Sequence, residues 1–298
     1  MKALCFGSLN IDYTYKLDHF VQKGETISSK ELTVCSGGKG LNQSIALSKA
    51  GADTYHAGAI GEDGKFLLKQ MEKAGVNTDY VAIMTDVKSG HAIIQNDKSG
   101  DNCIILYGGA NQAISQEQVE DVLQHFDKGD FIVLQNEINE LAYIVKRASE
   151  KGMIIVLNPS PMNEKILSLP LECVNYFMVN EIEALQILGK EKTQNMEGTV
   201  VAEELRCKFP NAAVVLTMGE KGSIYIDANE KAVQTAFRVQ AVDTTAAGDT
   251  FTGFFIGGLM RGMEVKDAML EAAKASAIAV TRQGAALSIP TKEEVRGF

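Results

Sequence analysis

Cysteine and histidine are scarce in this 298-residue chain, and neither is arranged for metal or disulfide chemistry. The five cysteines (Cys5, Cys35, Cys103, Cys173 and Cys207) are scattered, odd in number and form no C-x-x-C pair. That argues against a disulfide framework or a zinc site and for reduced thiols in a cytoplasmic setting. The four histidines (His19, His56, His91 and His125) show no ligand spacing. Basic residues are outnumbered, 29 against 38 acidic ones, for a net charge of −9. That balance argues against a broad nucleic-acid surface, because counterion release needs clustered Lys and Arg. A nucleotide stays open as a ligand, since it needs only local donors and a metal. No apolar run is long enough to span a bilayer; the stretch from Phe254 to Met260 stops at Arg261. The N-terminus has no secretory layout, because the apolar run after Lys2 breaks at Gly7 and Asn10. The P-loop spacing is missing, and no G-x-G-x-x-G follows the first apolar run, which disfavours a Rossmann dehydrogenase.

What is present is ordinary globular composition, 45% hydrophobic and 22% charged, with a strong alternation of patterns. Short apolar runs recur at Ala3–Phe6, Phe131–Leu134, Met153–Leu157, Tyr176–Val179 and Ala213–Leu216. Continuous runs closed by polar or Gly-rich turns suit strands buried on both faces of a parallel sheet. Helical patterns lie between them, at Gly40–Ala50, Lys65–Ala74, Glu117–Phe126, Leu141–Lys151, Glu181–Leu188 and Val200–Phe209. Two more follow, about Thr250–Arg261 and Val265–Thr281. The alternation predicts an α/β fold with helices on both faces of a mostly parallel sheet. Two pairs break the pattern: Tyr13–Leu17 with Glu31–Cys35, and His91–Gln95 with Cys103–Tyr107, the second turning at Lys98-Ser99-Gly100-Asp101. They read as hairpins that build a small β-sheet lid. With no repeat or linker, the expectation is one domain over 1–298, with lid segments inserted at about 12–35 and 90–108.

In open α/β sheets ligands bind beyond the carboxyl ends of the strands. Polar residues follow the strands here: Asn10 and Asp12, Glu137, Asn158, Asn180 and Glu183, Thr217 and Gly219, and Asp243 and Asp249. The most informative stretch is Val242-Asp243-Thr244-Thr245-Ala246-Ala247-Gly248-Asp249-Thr250-Phe251. It reads as a strand end, a small-residue turn and the first turn of a helix. Such a turn can aim free backbone N–H groups at one anion, while Asp249 faces whatever carries it. A carboxylate beside an anion-binding turn is equipment for phosphoryl transfer. The same residues would also serve as a plain helix cap. Ser36-Gly37-Gly38-Lys39-Gly40-Leu41-Asn42-Gln43 opens another helix, where glycines let backbone approach a ligand and Asn42 offers donors and an acceptor to hydroxyls.

These motifs resemble the ribokinase-like (phosphofructokinase-B) family of carbohydrate kinases. Gly37-Gly38-Lys39-Gly40-Leu41-Asn42-Gln43-Ser44 matches the first family motif, and Asp243-Thr244-Thr245-Ala246-Ala247-Gly248-Asp249 matches the second. The similarity spans essentially the whole chain, including Gly7-Ser8-Leu9-Asn10-Ile11-Asp12, Gly109-Ala110-Asn111, Asn180-Glu181-Ile182-Glu183 and Ala279-Val280-Thr281-Arg282-Gln283-Gly284-Ala285. It implies a three-layer αβα sandwich with a β-lid, and ATP-dependent phosphorylation of the primary hydroxyl of a small sugar, foremost D-ribose.

Residue by residue, the resemblance makes Asp249 the general base and the N–H groups of Ala246, Ala247 and Gly248 the anion hole. It puts Asn10, Asp12, Gly38, Lys39, Gly40, Asn42 and Glu137 at the sugar, where Lys39 acts through its ammonium, through its backbone, or as a solvated lysine. Asn180 and Glu183 influence Mg²⁺ and phosphate placement, and Thr217, Gly219 and Gly222 line the ATP site. Asp243, with carbonyls of Thr245, Ala279, Arg282 and Gly284 and the hydroxyl of Ser288, would hold K⁺ next to the anion hole. A homodimer through the lid is also implied. Three positions depart from the family pattern: Phe254 replaces a small residue behind the catalytic helix, Ala273 replaces the Asn or His many relatives carry near the adenine, and Thr245 replaces an Ile or Val. Rival expectations are a kinase for fructose, deoxyribose, 2-keto-3-deoxygluconate or a nucleoside, and, more remotely, a non-catalytic sugar sensor on the same fold.

Overall fold

The computed structural model describes residues 1–99, 101–191 and 196–298. The chain opens with the buried apolar strand β1 (Ala3–Phe6), then leaves for an antiparallel pair, β2 (Asn10–Lys16) and β3 (Glu31–Gly37). Helix α1 (Lys39–Lys49) returns to β4 (Thr54–Gly61), and α2 (Lys65–Lys73) leads to β5 (Asn77–Met84). A second antiparallel excursion follows, β6 (Gly90–Asn96) and β7 (Asn102–Tyr107). Strand–helix alternation then resumes with α3 (Gln116–Leu123), β8 (Phe131–Gln135), α4 (Leu141–Glu150), β9 (Ile154–Asn158), β10 (Tyr176–Asn180), α5 (Glu181–Leu188) and α6 (Gly198–Lys208). Strands β11 (Ala213–Thr217), β12 (Ser223–Ile226) and β13 (Lys231–Gln234) precede α7 (Ala247–Met260), α8 (Val265–Val280), α9 (Ala285–Ser288) and α10 (Lys292–Gly297).

Among the described residues, nine strands form one sheet in the order β13-β12-β11-β10-β9-β8-β1-β4-β5. Its strands are parallel from β5 through β11, and only the pairings of β12 with β11 and with β13 are antiparallel. The alternation of β1 shows why helices must cover both faces. Leu4 and Phe6 fall in one buried cluster with residues of α3, α4, α5 and α6; Ala3 and Cys5 fall in the other with residues of α1, α2, α7 and α8. The two excursions join into a four-stranded sheet, β3-β2-β6-β7, whose central pair β2 and β6 is parallel. No helix among the described residues is long and apolar enough to cross a membrane.

The expected α/β architecture and both hairpins are present. Four strands of the main sheet, β4, β5, β12 and β13, lie outside the expected apolar runs. Strand β4 is interrupted by His56, Gly58 and Gly61, and β5 opens on Asn77-Thr78-Asp79. The segment before Asp243, expected as a strand end, is irregular. The N–H groups of Val242 and Asp243 bond instead to the Val280 carbonyl at the end of α8, at 2.7 and 3.2 Å. Helix α7 begins at Ala247, earlier than the expected Thr250, so Asp249 lies inside its first turn.

Candidate active site

Between the carboxyl ends of the parallel strands and the small sheet lies a cavity of about 930 Å³. Glu137 just past β8, Asn158 at the end of β9, Asn180 at the end of β10 and Thr217 at the end of β11 all line it, as do Asp243 through Asp249. The strand ends therefore converge as the topology requires.

Asp249 is only 6% exposed and still carries donors on both oxygens. Asn42 Nδ2 donates to its Oδ2 at 3.0 Å and Gln43 Nε2 to its Oδ1 at 2.8 Å. This arrangement depends on α1 and α7 lying unusually close. A Cβ on Gly253 would come within 2.7 Å of Ala46 and Leu47 backbone atoms, and one on Gly257 would meet the Ala50 side chain at the same distance. Small residues thus bring the two helices together and set the amides of α1 against the carboxylate of α7. Phe254, one step round the helix, is fully buried in the core instead.

Ala246, at the start of the turn, holds φ at 60° in the left-handed region, a strain of about 1 kcal/mol for a non-glycine residue. The first helical bond of α7 is Thr250 N–H to Ala246 O at 2.8 Å, so the N–H groups of Gly248 and Asp249 precede the intrahelical ladder. The Ala247 N–H, expected to be free, donates to Thr244 O at 3.2 Å.

On the other side of the cavity stand the expected polar groups. Asn10 is held by Asn111, whose Nδ2 donates to Asn10 Oδ1 at 2.7 Å and whose Oδ1 accepts from Leu9 N–H at 3.0 Å. Glu137 accepts from the Ser8 hydroxyl and, at 2.9 Å, from the Lys39 N–H. Asp12 sits on β2 where Gly37 of β3 leaves room; a Cβ there would fall on its carboxyl group. Burial, and then the Glu137 charge, push the Asp12 carboxyl up to about 6. Burial alone would lower the Lys39 ammonium, but Asp249, Glu137 and Glu183 outweigh it and raise its pKa. Lys39 is therefore a cation set among three carboxylates rather than a free surface lysine.

Asn180 and Glu183 form a capping box at the start of α5. Asn180 Oδ1 accepts from the Ile182 and Glu183 N–H groups, both at 2.9 Å, and Glu183 Oε2 accepts from the Asn180 N–H at 3.0 Å. Both residues also line the cavity. Among the described residues, no cluster of three or more His, Cys, Asp or Glu side chains is placed to hold a metal ion by itself.

Asp243 ties two segments together, accepting from Thr245 N–H at 2.9 Å and from Gly284 N–H at 3.0 Å. Burial raises its pKa, but these donors outweigh burial and lower it. Thr245 and Gly284 line the cavity; Ala279, Arg282 and Ser288 do not. The Ala279 carbonyl accepts from the Arg282 N–H at 3.1 Å, and the Ser288 hydroxyl donates to Ala285 O at 2.8 Å. Three further expected contacts also stand apart from the cavity. Gly40 packs on the Gly7–Ser8 backbone, where a Cβ would collide, while Gly219 and Gly222, with φ of 56° and 100°, shape the turn between β11 and β12.

The structure adds cavity residues that the motifs do not contain. Thr14 joins Asn10 and Asp12 on β2, Ala92, Ile94 and Asn96 line up on β6, and Asn102, Ile104 and Leu106 on β7. Each set repeats every second residue, so all lie on one face of the small sheet. Once Asp12 is placed in a strand facing a ligand, that period points to Thr14.

A family model described as pfkB family carbohydrate kinase matches residues 1–292. The chain is 34% identical to the ribokinase of Staphylococcus aureus (strain COL), over 99% of this chain and 98% of that protein. Among solved structures it resembles ribokinase from Cryptococcus neoformans var. grubii serotype A in complex with ADP, with TM-score 0.87, 32% identity and 99% of each chain covered. It also resembles the Arabidopsis thaliana ribokinase complexed with ribose and ATP, with TM-score 0.85, 27% identity and coverage of 99% of this chain and 97% of that one.

Proposed function

Because this chain belongs to the pfkB family of carbohydrate kinases, we propose that it moves the terminal phosphoryl group of ATP to the primary hydroxyl of D-ribose, giving ribose 5-phosphate. The observation that carries the reading is Asp249, a nearly buried carboxylate at the start of α7 whose cavity is shared by Asn10, Asp12, Asn42 and Glu137. Amides and carboxylates in that number suit a compact polyol, because each pairs with one or two hydroxyls and discriminates against analogues lacking them. Asp249 takes the hydroxyl proton as the sugar oxygen attacks the γ-phosphorus, and the bond to the bridging oxygen of ADP breaks. The N–H groups at the start of α7, those of Gly248 and Asp249 foremost, hold the charge that builds on the transferred group. Asn180, Glu183 and Thr217 face the nucleotide side, and Mg²⁺ bound with the triphosphate would neutralise phosphate charge there. Asp243, with the Thr245 and Gly284 segments it joins, is the anchor of a K⁺ site that orders the same turn. Activity indifferent to K⁺, Na⁺ or no added salt would remove K⁺ from this reading.

In this reading the small sheet is an inserted lid, and two chains pair through it. Its edge strand β7 is exposed along its whole length, with Ile105 at 58% and Leu106 at 59%. An apolar open edge of this kind is a template for a second copy. The deciding experiment is ADP release from Mg-ATP with K⁺, across ribose, deoxyribose, fructose, tagatose, adenosine and 2-keto-3-deoxygluconate. Preference for ribose is expected; preference for another sugar would keep Asp249 and reassign the pocket, and silence on all would favour a sensor.

A further inference from the structure

We infer that Gln43 is the positioning residue for the base: a one-way relay of amides, Gln135 to Gln43 to Asp249, ties Oδ1 to the protein interior and leaves Oδ2 to accept the proton. The inference rests on Asp249 being the base. Gln43 Nε2 donates to Asp249 Oδ1 at 2.8 Å and more weakly to Asn158 Oδ1 at 3.4 Å. With its amide nitrogen facing two acceptors, Gln43 must turn Oε1 toward a donor. That donor is Gln135 Nε2, at 2.7 Å. Gln135 Oε1 is in turn buried without a hydrogen-bond partner and faces Gly7, where any Cβ would overlap it. The polarity of the relay is thus set from its end: a carboxylate only accepts, so each amide behind it points the same way.

Gln43 and Gln135 are both 0% exposed and neither lines the cavity, so they reach it only through neighbours, of which Asp249 makes the shorter bond to Gln43 and Asn158 the longer. Asn42 differs. It lines the cavity, reaches Oδ2 at 3.0 Å, and keeps a buried Oδ1 with no partner. A sugar hydroxyl can exchange with Asn42 at Oδ2, whereas Oδ1 stays with a donor that substrate never meets. The titratable groups coupled to Asp249 are Lys39 on α1 and Cys5 on β1, and burial pushes the Cys5 thiol up to about 11, neutral throughout the working range.

The test compares Gln43→Met, Gln135→Met and the double variant, with Asp249→Asn as the reference. Gln43→Met is expected to lower kcat about 10- to 100-fold with little change in sugar KM, the loss typical of a supporting partner. The acid limb of kcat at saturating sugar should move to higher pH, because a donor to the charged carboxylate has gone. Gln135→Met should move both readouts the same way by less, and the double variant should be no worse than Gln43→Met, since Gln135 bonds Gln43 at 2.7 Å and otherwise reaches only the neutral Cys5 thiol, at 3.5 Å. Unchanged kcat and acid limb in Gln43→Met, with Asp249→Asn inactive, would overturn the relay and leave the base in place. An active Asp249→Asn would overturn the base itself. If Gln43→Met does not fold, the shift in Gln135→Met decides: an unmoved limb there overturns the relay.

Discussion

Asp249 must be both buried and an acceptor, two demands that conflict unless donors surround it. Asn42 and Gln43 meet them, so Asp249→Asn, which presents an amide where both neighbours donate, should lose most of its turnover. The expected fall is ~10²–10⁴-fold, with sugar and ATP binding retained by calorimetry. Near-normal turnover would move the base elsewhere. Asp12 gives a second prediction. If Asp12 binds sugar as proposed, hydroxyls donate to its ionised form; burial and the Glu137 charge push its carboxyl up to about 6, so sugar KM should rise as pH falls through that value. Asp12→Asn should bind more weakly at neutral pH and lose that limb; a KM flat from pH 7 to 5 in the unmodified enzyme would refute the assignment. At this scale the two motifs were legible because they are contiguous. Gln135 and Thr14 were not, because their value lies in partners far along the chain: Gln43 and the opposite strands.

The pairing of α1 with α7 is the element on which the site depends, and glycine makes it possible. Gly253→Ala places a Cβ against the backbone of Ala46 and Leu47, which cannot swing aside as a flexible side chain would. Destabilisation of about 1–3 kcal/mol is expected from overpacking of this kind, read as a lower urea midpoint. Because the same displacement carries Asp249 away from α1, kcat should fall with it. An unchanged midpoint and kcat would show that the helices separate freely. The residue pattern located both helices to within three residues, since α7 is mostly apolar after Asp249 and α1 is buried from Gly40 to Leu47. It could not show that they touch, nor detect β4 and β5, whose polar and glycine residues are accommodated only by neighbours in the sheet.

For the molecule as a whole, the exposed edge of the small sheet sets the expected assembly. Ile105→Asp should convert a dimer to a monomer in light scattering, since a charge on an apolar paired edge opposes association. A monomeric unmodified enzyme would rule out the lid interface altogether. Alternation of strands and helices made five strands of the main sheet and both hairpins readable in advance. The parallel pairing of β2 with β6 was not, because it joins residues such as Asp12 and Ala92 that no local pattern relates. The connection from β3 to α1 carries a mechanical consequence. A single residue, Gly38 with φ of 95°, separates the small sheet over the cavity from the helix whose amides hold Asp249. Its missing side chain lets it lie against the Ser8 carbonyl, where a Cβ would come within 2.9 Å. The cover and the grip therefore share one joint: a rotation that swings β3 toward the ligand turns the first residues of α1 on the same pivot.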